Sequence, residues 1–451
     1  MACNLHLTLV MIQTVPKTNR RTLLSGMLAL AAAGVASRVI AQPLSALGDQ
    51  SQTLQQMVDA AATRNEPLHL PAGEYLVSNI RLPDKTRLTG VPGATRIVYG
   101  GGGHLFKAED ATSIELTGLS IDGGDRVLGA DAQALVELRR VAHLVIDRCD
   151  ITGSAASAIV LERVSGRVER CIITGAQDYG LYCVEGAGMQ ISGNTVTDCG
   201  NGGILVHRWE PGEDGAMVTG NRIERIAARS GGTGQNGNGI NVFRADNVIV
   251  ANNHVCDCAF SAIRANSASN VQIVANQCLR SGETAIYSEF SFEGAVINSN
   301  MVDGAAIGIS IANLDEGGRM AVCNGNIVRN LVDHAPYEDS SPGFGIGISV
   351  EADTAVTGNV VEGAPLFGMM LGWGPFVRNV VATGNVVREA REGFAVSVVE
   401  GAGSVIVADN VIDGVERAVV GYRWVDAATG DLAQGDDASF PHLRVERNLV
   451  S

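Results

Sequence analysis

The 451 residues include 55 glycines, 46% hydrophobic residues and only 4% aromatics. That composition suits many short strands joined by narrow turns and argues against helical domains. Acidic residues outnumber basic ones by 48 to 33, and the net charge of −15 is spread without blocks of like sign. Such a surface repels phosphate backbones, which excludes nucleic acid as a partner and leaves a polyanionic sugar only a locally basic groove.

In chain order, the first feature is Arg20-Arg21 ahead of an apolar run from Leu23 to Ala36. The run is too short for a bilayer core of about 30 Å, and Val39-Ile40-Ala41 offers a small-residue cleavage site before Gln42. Residues 1–41 are therefore expected to be a signal peptide. The mature chain then holds no transmembrane segment and resides in the periplasm or is secreted. The arginine pair followed by Thr22, Leu23 and Leu24 resembles a bacterial twin-arginine signal, which implies export of the folded protein through machinery that reads Arg20 and Arg21. A chance arginine pair before a general secretory signal is the alternative.

Residues 42–74 are expected to form an N-terminal cap. In "SQTLQQMVDAAATRN", Leu54, Met57, Val58 and Ala61 fall at helical spacing, and Thr53 with Gln56 fits a capping box. A helix there would plug the open end of a stacked solenoid.

Residues 75–451 are dominated by a repeat. "ISGNTV", "VTGNRI", "VANNHV", "IVANQC", "INSNMV", "CNGNIV", "VTGNVV", "ATGNVV", "VADNVI" and "VERNLV" each set an Asn before an apolar pair. The asparagines are Asn194, Asn221, Asn253, Asn276, Asn300, Asn326, Asn359, Asn385, Asn410 and Asn448, several of them 23 to 26 residues apart, with insertions in the longer intervals. About 23 residues accommodate three short strands and three turns, and segments such as "GNGINVFRAD" alternate as strands do. A single coil cannot bury its own inner face, so the coils must stack. The expected fold is all-β, a single right-handed parallel β-helix, with the asparagines forming an amide ladder in left-handed turns. Of the eight cysteines after the signal, Cys149 and Cys171 occupy equivalent positions, which favours stacked buried thiols over disulfides. Cys256-Asp257-Cys258 has no matching pair at zinc-finger spacing.

The "LPAGEYLV" and "LSIDGGD" segments together with the Asn-marked coils resemble the pectate-lyase-like superfamily of right-handed parallel β-helices. "NRRTLLSGM" combined with those coils resembles a bacterial family of twin-arginine-translocated repeat proteins with no assigned mechanism, so the resemblance transfers no catalytic residues. The superfamily implies polysaccharide lyases, uronate epimerases and glycoside hydrolases, and equally tailspike-like binders and adhesins.

Candidate site residues come from stacking the coils. If Ile204, Ile240, Ile263, Ile286 and Ile309 point inward, the next outward column is Leu205, Asn241, Arg264, Tyr287 and Ser310. The outward column beyond it is Val184, His207, Phe243, Asn266, Glu289 and Ala312, with Arg208 and Arg244 in the adjacent turn. Coils about 4.8 Å apart gather these groups in a patch roughly 20 Å long. A lyase or epimerase would neutralise a uronate carboxylate with Arg264, Arg244 or Asn266 and remove a proton with His207 or Tyr287. A hydrolase would need a second carboxylate, and Glu289 has no evident partner on a neighbouring coil. Glu210, Glu213 and Asp214 would supply one, or would hold Ca²⁺, although their spacing matches no known calcium loop. No motif implies another cofactor or metal.

The catalytic set is thus His207, Tyr287, Arg264 and Glu289, with Arg208, Trp209, Asn241, Arg244, Asn266 and Tyr182 contacting a polysaccharide or oligosaccharide. The Gly-rich insertion Ala227 to Gly239 would wall the site, and Tyr179 would stack on sugar rings beside Trp209. Trp373, Tyr422 and Trp424 form a second aromatic group, for which packing is favoured over a distal sugar platform or a contact with another chain. The competing function is a non-catalytic glycan-binding or structural envelope protein.

Overall fold

The computed structural model describes residues 48–232, 234–338, 342–435 and 439–451; the expected signal peptide, with Arg20 and Arg21, lies outside them. None of the helices described is long and apolar enough to cross a membrane.

Among the described residues the one helix longer than a turn, Ser51–Thr63, buries Leu54, Val58 and Ala61 against the end of the core, and Met57 packs beside them. Its start differs from the capping box expected at Thr53. Gln50 is the N-cap and makes no side-chain capping bond, whereas the Asp49 carboxylate accepts the Ser51 N–H at 2.9 Å. An Asp two residues ahead of the first turn supplies the acceptor that the hydroxyl was expected to supply.

About fourteen coils follow. Fifteen short strands, from Leu68–His69 to Leu443–Glu446, form the first ladder, parallel throughout. The other 28 strands form two further ladders, which run together only in the long strands Val360–Leu371 and Val386–Ser397. One coil illustrates the pattern: Met217–Thr219 in the first ladder, Arg222–Ile226 in the second, Asn238–Asp246 in the third. Inward Val and Ile residues from all three ladders fill a continuous core.

The corner between the first and second ladders carries the asparagines, and each amide is bonded along the stack. Asn300 Nδ2 donates to the Asn326 amide oxygen at 3.0 Å and to the Ile273 carbonyl at 2.9 Å, while its own amide oxygen accepts from the backbone and side chain of Asn276 at 2.9 and 3.0 Å. The same geometry recurs from Asn194 to Asn448. The residue before each Asn lies in the left-handed region, as at Gly220 with φ of 65° and Ala275 with φ of 57°, which explains the recurrent Gly-Asn pair. Cys149 and Cys171 precede the ladder at the same corner, and all eight described cysteines are buried free thiols.

Between the second and third ladders, the inward column Gly180, Gly203, Gly239, Ala262, Ala285, Gly308 and Gly347 is limited to Gly and Ala. A Cβ on Gly203 would lie 2.4 Å from the Gly239 carbonyl. The sharp bend leaves no room for anything larger, which pins the register of the third ladder.

Two outcomes test this account. Asn300→Ala strands a buried N–H and a buried carbonyl and should lower stability by about 4 kcal/mol, against much less for Asn448→Ala at the end of the ladder, as read from denaturant midpoints. Ala275→Gly, at an exposed left-handed position, should raise stability by about 1 kcal/mol by the same measurement.

Candidate functional site

The third ladder aligns Leu205, Asn241, Arg264, Tyr287 and Ser310 in one row and His207, Phe243, Asn266 and Glu289 in another. The expected columns therefore exist, but they are not an open groove. Two insertions leave the corner between the second and third ladders: one after Arg222–Ile226, before the Asn241 coil, and one after Ile327–Arg329, before the Ser349 coil. The three coils between them turn that corner in short loops. The insertions fold inward over this gap from either side.

The first insertion passes directly above Arg264. A Cβ on Gly234 would lie 1.7 Å from Arg264 Nη1, and Asn238 Nδ2 fastens the loop by donating to the Gly234 carbonyl at 2.7 Å. Only a residue without a side chain fits there. The second insertion contributes Tyr337, which stacks on Phe260 at 6.2 Å, meets Phe344 edge-on at 5.7 Å and donates its hydroxyl to Glu283 Oε1 at 2.7 Å.

Beneath the loops is an ionic cluster. Arg264 Nε donates to Glu289 Oε1 at 2.5 Å, Asn266 Nδ2 donates to the same oxygen at 2.8 Å, and the guanidinium lies 5.3 Å above the Tyr287 ring. Arg264 Nη1 stands 3.9 Å from Glu283 Oε2, which also accepts from the Ser261 hydroxyl at 3.4 Å. Glu289, expected to lack a carboxylate neighbour, thus has Glu283 across the same guanidinium. Burial raises the Glu283 pKa against the opposing pull of Tyr337 and Arg264. Burial also raises that of the Tyr287 phenol, reinforced by Glu289 and Glu283, which favours Tyr287 as a proton donor over the expected role of base. Two buried polar atoms on adjoining coils, Arg264 Nη1 and Asn241 Oδ1, have no hydrogen-bond partner among the described residues.

His207 is not part of this cluster. Its ring is held between Tyr182 at 5.2 Å and Phe243 at 5.5 Å, with Tyr179 beyond Tyr182, and Phe243 separates it from Asn266. Burial pushes its pKa down to about 4. The structure therefore sets His207 apart from Arg264: alternation aims His207 outward, and aromatic rings flank it on both neighbouring coils. The chain bulges after His207. Arg208 pairs with Glu185 at 2.9 Å, and the Trp209 N–H donates to the same carboxylate at 2.8 Å. Arg244 donates to the Trp209 carbonyl, and Arg163 lies 4.8 Å over an indole that is 46% exposed. Trp209 is thus a half-exposed ring with Arg163 over it, and Glu185 and Arg244 bond its backbone.

Glu210 and Glu213 are exposed, while Asp214 is buried with its pKa pushed up to about 6 by burial and its Oδ1 accepting the Ala216 N–H at 3.1 Å. These three do not form a three-ligand cluster among the described residues. Trp373 meets Trp424 at 5.5 Å, and Tyr422 meets Phe367 at 5.1 Å and donates to Glu392 at 2.8 Å, packing beside the terminal hairpin of Arg417–Arg423 and Asp426–Asp431. Glu283 and Tyr337 are the site residues that sequence reasoning missed. The long interval from Asn326 to Asn359 signalled an insertion, though not where it folds.

The neutral imidazole has a measurable consequence. Because the native pKa of His207 lies below the usual 6.5, the unfolded chain takes up a proton that the native chain refuses, so stability is lost as pH falls from about 6.5 to about 4. His207→Phe should remove up to about 3 kcal/mol of that loss, seen as a flatter plot of unfolding free energy against pH.

A family model described as right handed beta helix region matches residues 95–223 and 134–316. No curated protein matches the sequence. Among solved structures, the pre-mature gene product 12 of bacteriophage phi29 aligns with a TM-score of 0.49 and 14% identity, covering 86% of this chain, which thereby spans only 56% of the phage chain. The Dettilon tailspike protein aligns with a TM-score of 0.45 and 14% identity, over 85% of this chain and 69% of its own. The A-module of a mannuronan C-5 epimerase from Azotobacter vinelandii aligns with a TM-score of 0.34 and 13% identity, over 88% and 96%. The chain is a right-handed parallel β-helix protein, and Arg264 with both of its carboxylate neighbours lies inside the region that the family model covers.

Proposed function

We propose that this protein binds a uronate-bearing polysaccharide along the third ladder, outside the cytoplasm, and that Arg264 and Asn241 form the subsite that recognises one sugar unit. The observation that carries this reading is the pair of buried atoms on adjoining coils, Arg264 Nη1 and Asn241 Oδ1, that have no hydrogen-bond partner among the described residues. One is a donor and the other an acceptor, and buried polar atoms of this kind ordinarily have partners. A carboxylate oxygen satisfies the guanidinium and a sugar hydroxyl satisfies the amide oxygen, across coils about 4.8 Å apart. Trp209, exposed three positions beyond Val206 on the Leu205 coil, offers a ring on which a neighbouring sugar stacks.

The same cluster supports lyase or epimerase chemistry over simple binding. With Arg264 neutralising the uronate carboxylate, the adjacent ring proton becomes acidic enough for removal by a carboxylate base. Glu283, with its raised pKa, takes the C5 proton; in a lyase the C4–O bond to the next sugar then breaks to leave a C4=C5 double bond and Tyr287 gives its proton to the departing oxygen, whereas in an epimerase Tyr287 gives its proton to the opposite face of C5. Entry requires the Gly-rich segment to lift from Arg264, which breaks the Asn238 bond to the Gly234 carbonyl. Arg20 and Arg21 ahead of the apolar run support the placement outside the cytoplasm.

Removing Arg264 would leave two buried carboxylates without a counter-charge and confuse folding with function, so the test uses milder variants. Purified protein is offered acidic and neutral polysaccharides, with binding and ultraviolet absorbance of unsaturated uronate read together. The expected result is preferential binding of the acidic glycans, about tenfold weaker in Asn241→Ala. Glu283→Gln should bind but not turn over. Equal binding of neutral glycans, or wild-type affinity in Asn241→Ala, overturns the subsite; binding without new absorbance leaves an epimerase or a lectin, and an unchanged uronate composition then reduces it to a lectin.

A further inference from the structure

On the opposite side of the bend, the second ladder brings together three side chains of different ligand type. His254 and Cys256 alternate outward on the strand His254–Cys258, and the register of the preceding coil sets Glu224 directly beside Cys256 and Arg222 beside His254. One ligand atom from each of Glu224, His254 and Cys256 lies within 4.8 Å of the other two. Among the described residues this is the one such group of three. Val255 and Cys258 on the same strand point into the core, so Cys256 is set apart from the structural thiols by its direction.

We propose that Glu224, His254 and Cys256 form a binding site for one divalent transition-metal ion of the zinc type, held by an oxygen, a nitrogen and a sulfur, with a fourth position open to water. Three considerations support this. A thiolate, an imidazole and a carboxylate together match the ligand preference of Zn²⁺ and disfavour Ca²⁺ and Mg²⁺, which take oxygen ligands. The rigid ladder presents the groups from adjoining coils without help from a loop, so little ordering is needed on binding. His254 Nδ1 stands 3.1 Å from Gln277 Oε1 on the next coil. A hydrogen on Nδ1 donated to that oxygen fixes the ring and leaves Nε2 its lone pair, as outer hydrogen bonds do for ligating imidazoles.

The neighbouring charges set the cost. Arg222 and Arg225 both reach the Glu224 carboxylate, and Arg225 also bonds Asp198 at 2.7 Å. Both arginines are more than half exposed along their side chains, at 57% and 51%, whereas Glu224 is 12% exposed, so a metal ion that takes the carboxylate returns the guanidiniums to water and leaves Glu224 with a counter-charge. Arg225 retains Asp198 when it moves. Asp257 and Arg280 pair with each other at 2.7 Å on the same face and contribute no net charge.

The test titrates Co²⁺ into untagged, chelator-washed protein under reducing conditions. One ion per chain should bind, with a thiolate-to-cobalt charge-transfer band in the near ultraviolet that Zn²⁺ abolishes by competition. Cys256→Ser should remove the band, and His254→Ala and Glu224→Gln should each weaken binding by at least about tenfold. Absence of the band in the native protein overturns the site, as does an unchanged band in Cys256→Ser, which would assign the sulfur to another cysteine. Circular dichroism of the variants separates loss of ligand from loss of fold. None of these readouts depends on glycan binding.

Discussion

The interaction on which the rest depends is the asparagine amide bonded between coils. At the corner of the first and second ladders the backbone enters the left-handed region for one residue, and the peptide groups there fall out of strand pairing. Asn276, Asn300 and Asn326 restore the missing partners, each amide oxygen taking the backbone N–H and the amide N–H from the preceding coil. These side chains are buried to within 1% of full coverage, so each bond is made away from competing water. A slip of one residue would break every bond in the stack at once. Register therefore follows from the ladder, and register decides which side chains share a column.

The second constraint is the small-residue column at the bend between the second and third ladders. Gly203, Gly239 and Gly347 allow neighbouring strands to come within contact of one another's carbonyls, and that bend is also where the insertions leave the solenoid. A chain that has just turned sharply can be lengthened there without disturbing the ladders. Lengthening it on two coils, with three unlengthened coils between them, brings the insertions over Arg264 and Glu283. Site and scaffold are thus joined by geometry: the bend fixes where loops emerge, and loop length fixes which outward side chains lose water.

The repeated elements were legible in the sequence because their signals are local and periodic. An Asn after a left-handed residue, and an Ile at every third-ladder strand from Ile204 to Ile309, identify the coils and predict that Asn241, Arg264 and Tyr287 align. The surroundings of those side chains were not legible. Alternation shows that His207 and Glu289 leave the core, but whether they reach water depends on loops with no period. Tyr337 reaches Glu283 from 54 residues away, and Gly234 settles on Arg264 for reasons of shape that composition does not record. Glu224 lies 30 residues before His254 and is no part of a linear metal motif, because the spacing that matters runs across coils. Thr53 is not a cap because the helix already begins at Ser51, where the Asp49 carboxylate accepts the first N–H.

Covered charge alone does not identify a working site, as the other end of the same face shows. Under the terminal hairpin, Glu392 is 2% exposed and is held by Arg417 and by the Tyr422 hydroxyl, and none of the unpartnered buried atoms falls on these three residues. That cluster is complete as it stands. In the column of Arg264 the later coils carry Ser349, Met370, Ala395 and Val420, so the fold tolerates small or apolar groups there, and an apolar replacement of a buried ion pair is often no less stable. The Arg264 cluster differs from both cases in holding a donor and an acceptor, Arg264 Nη1 and Asn241 Oδ1, without a hydrogen-bond partner among the described residues. A stack that needs no charge at that position, yet keeps one with a bond to spare, has a surplus that packing does not account for and that a bound sugar would complete.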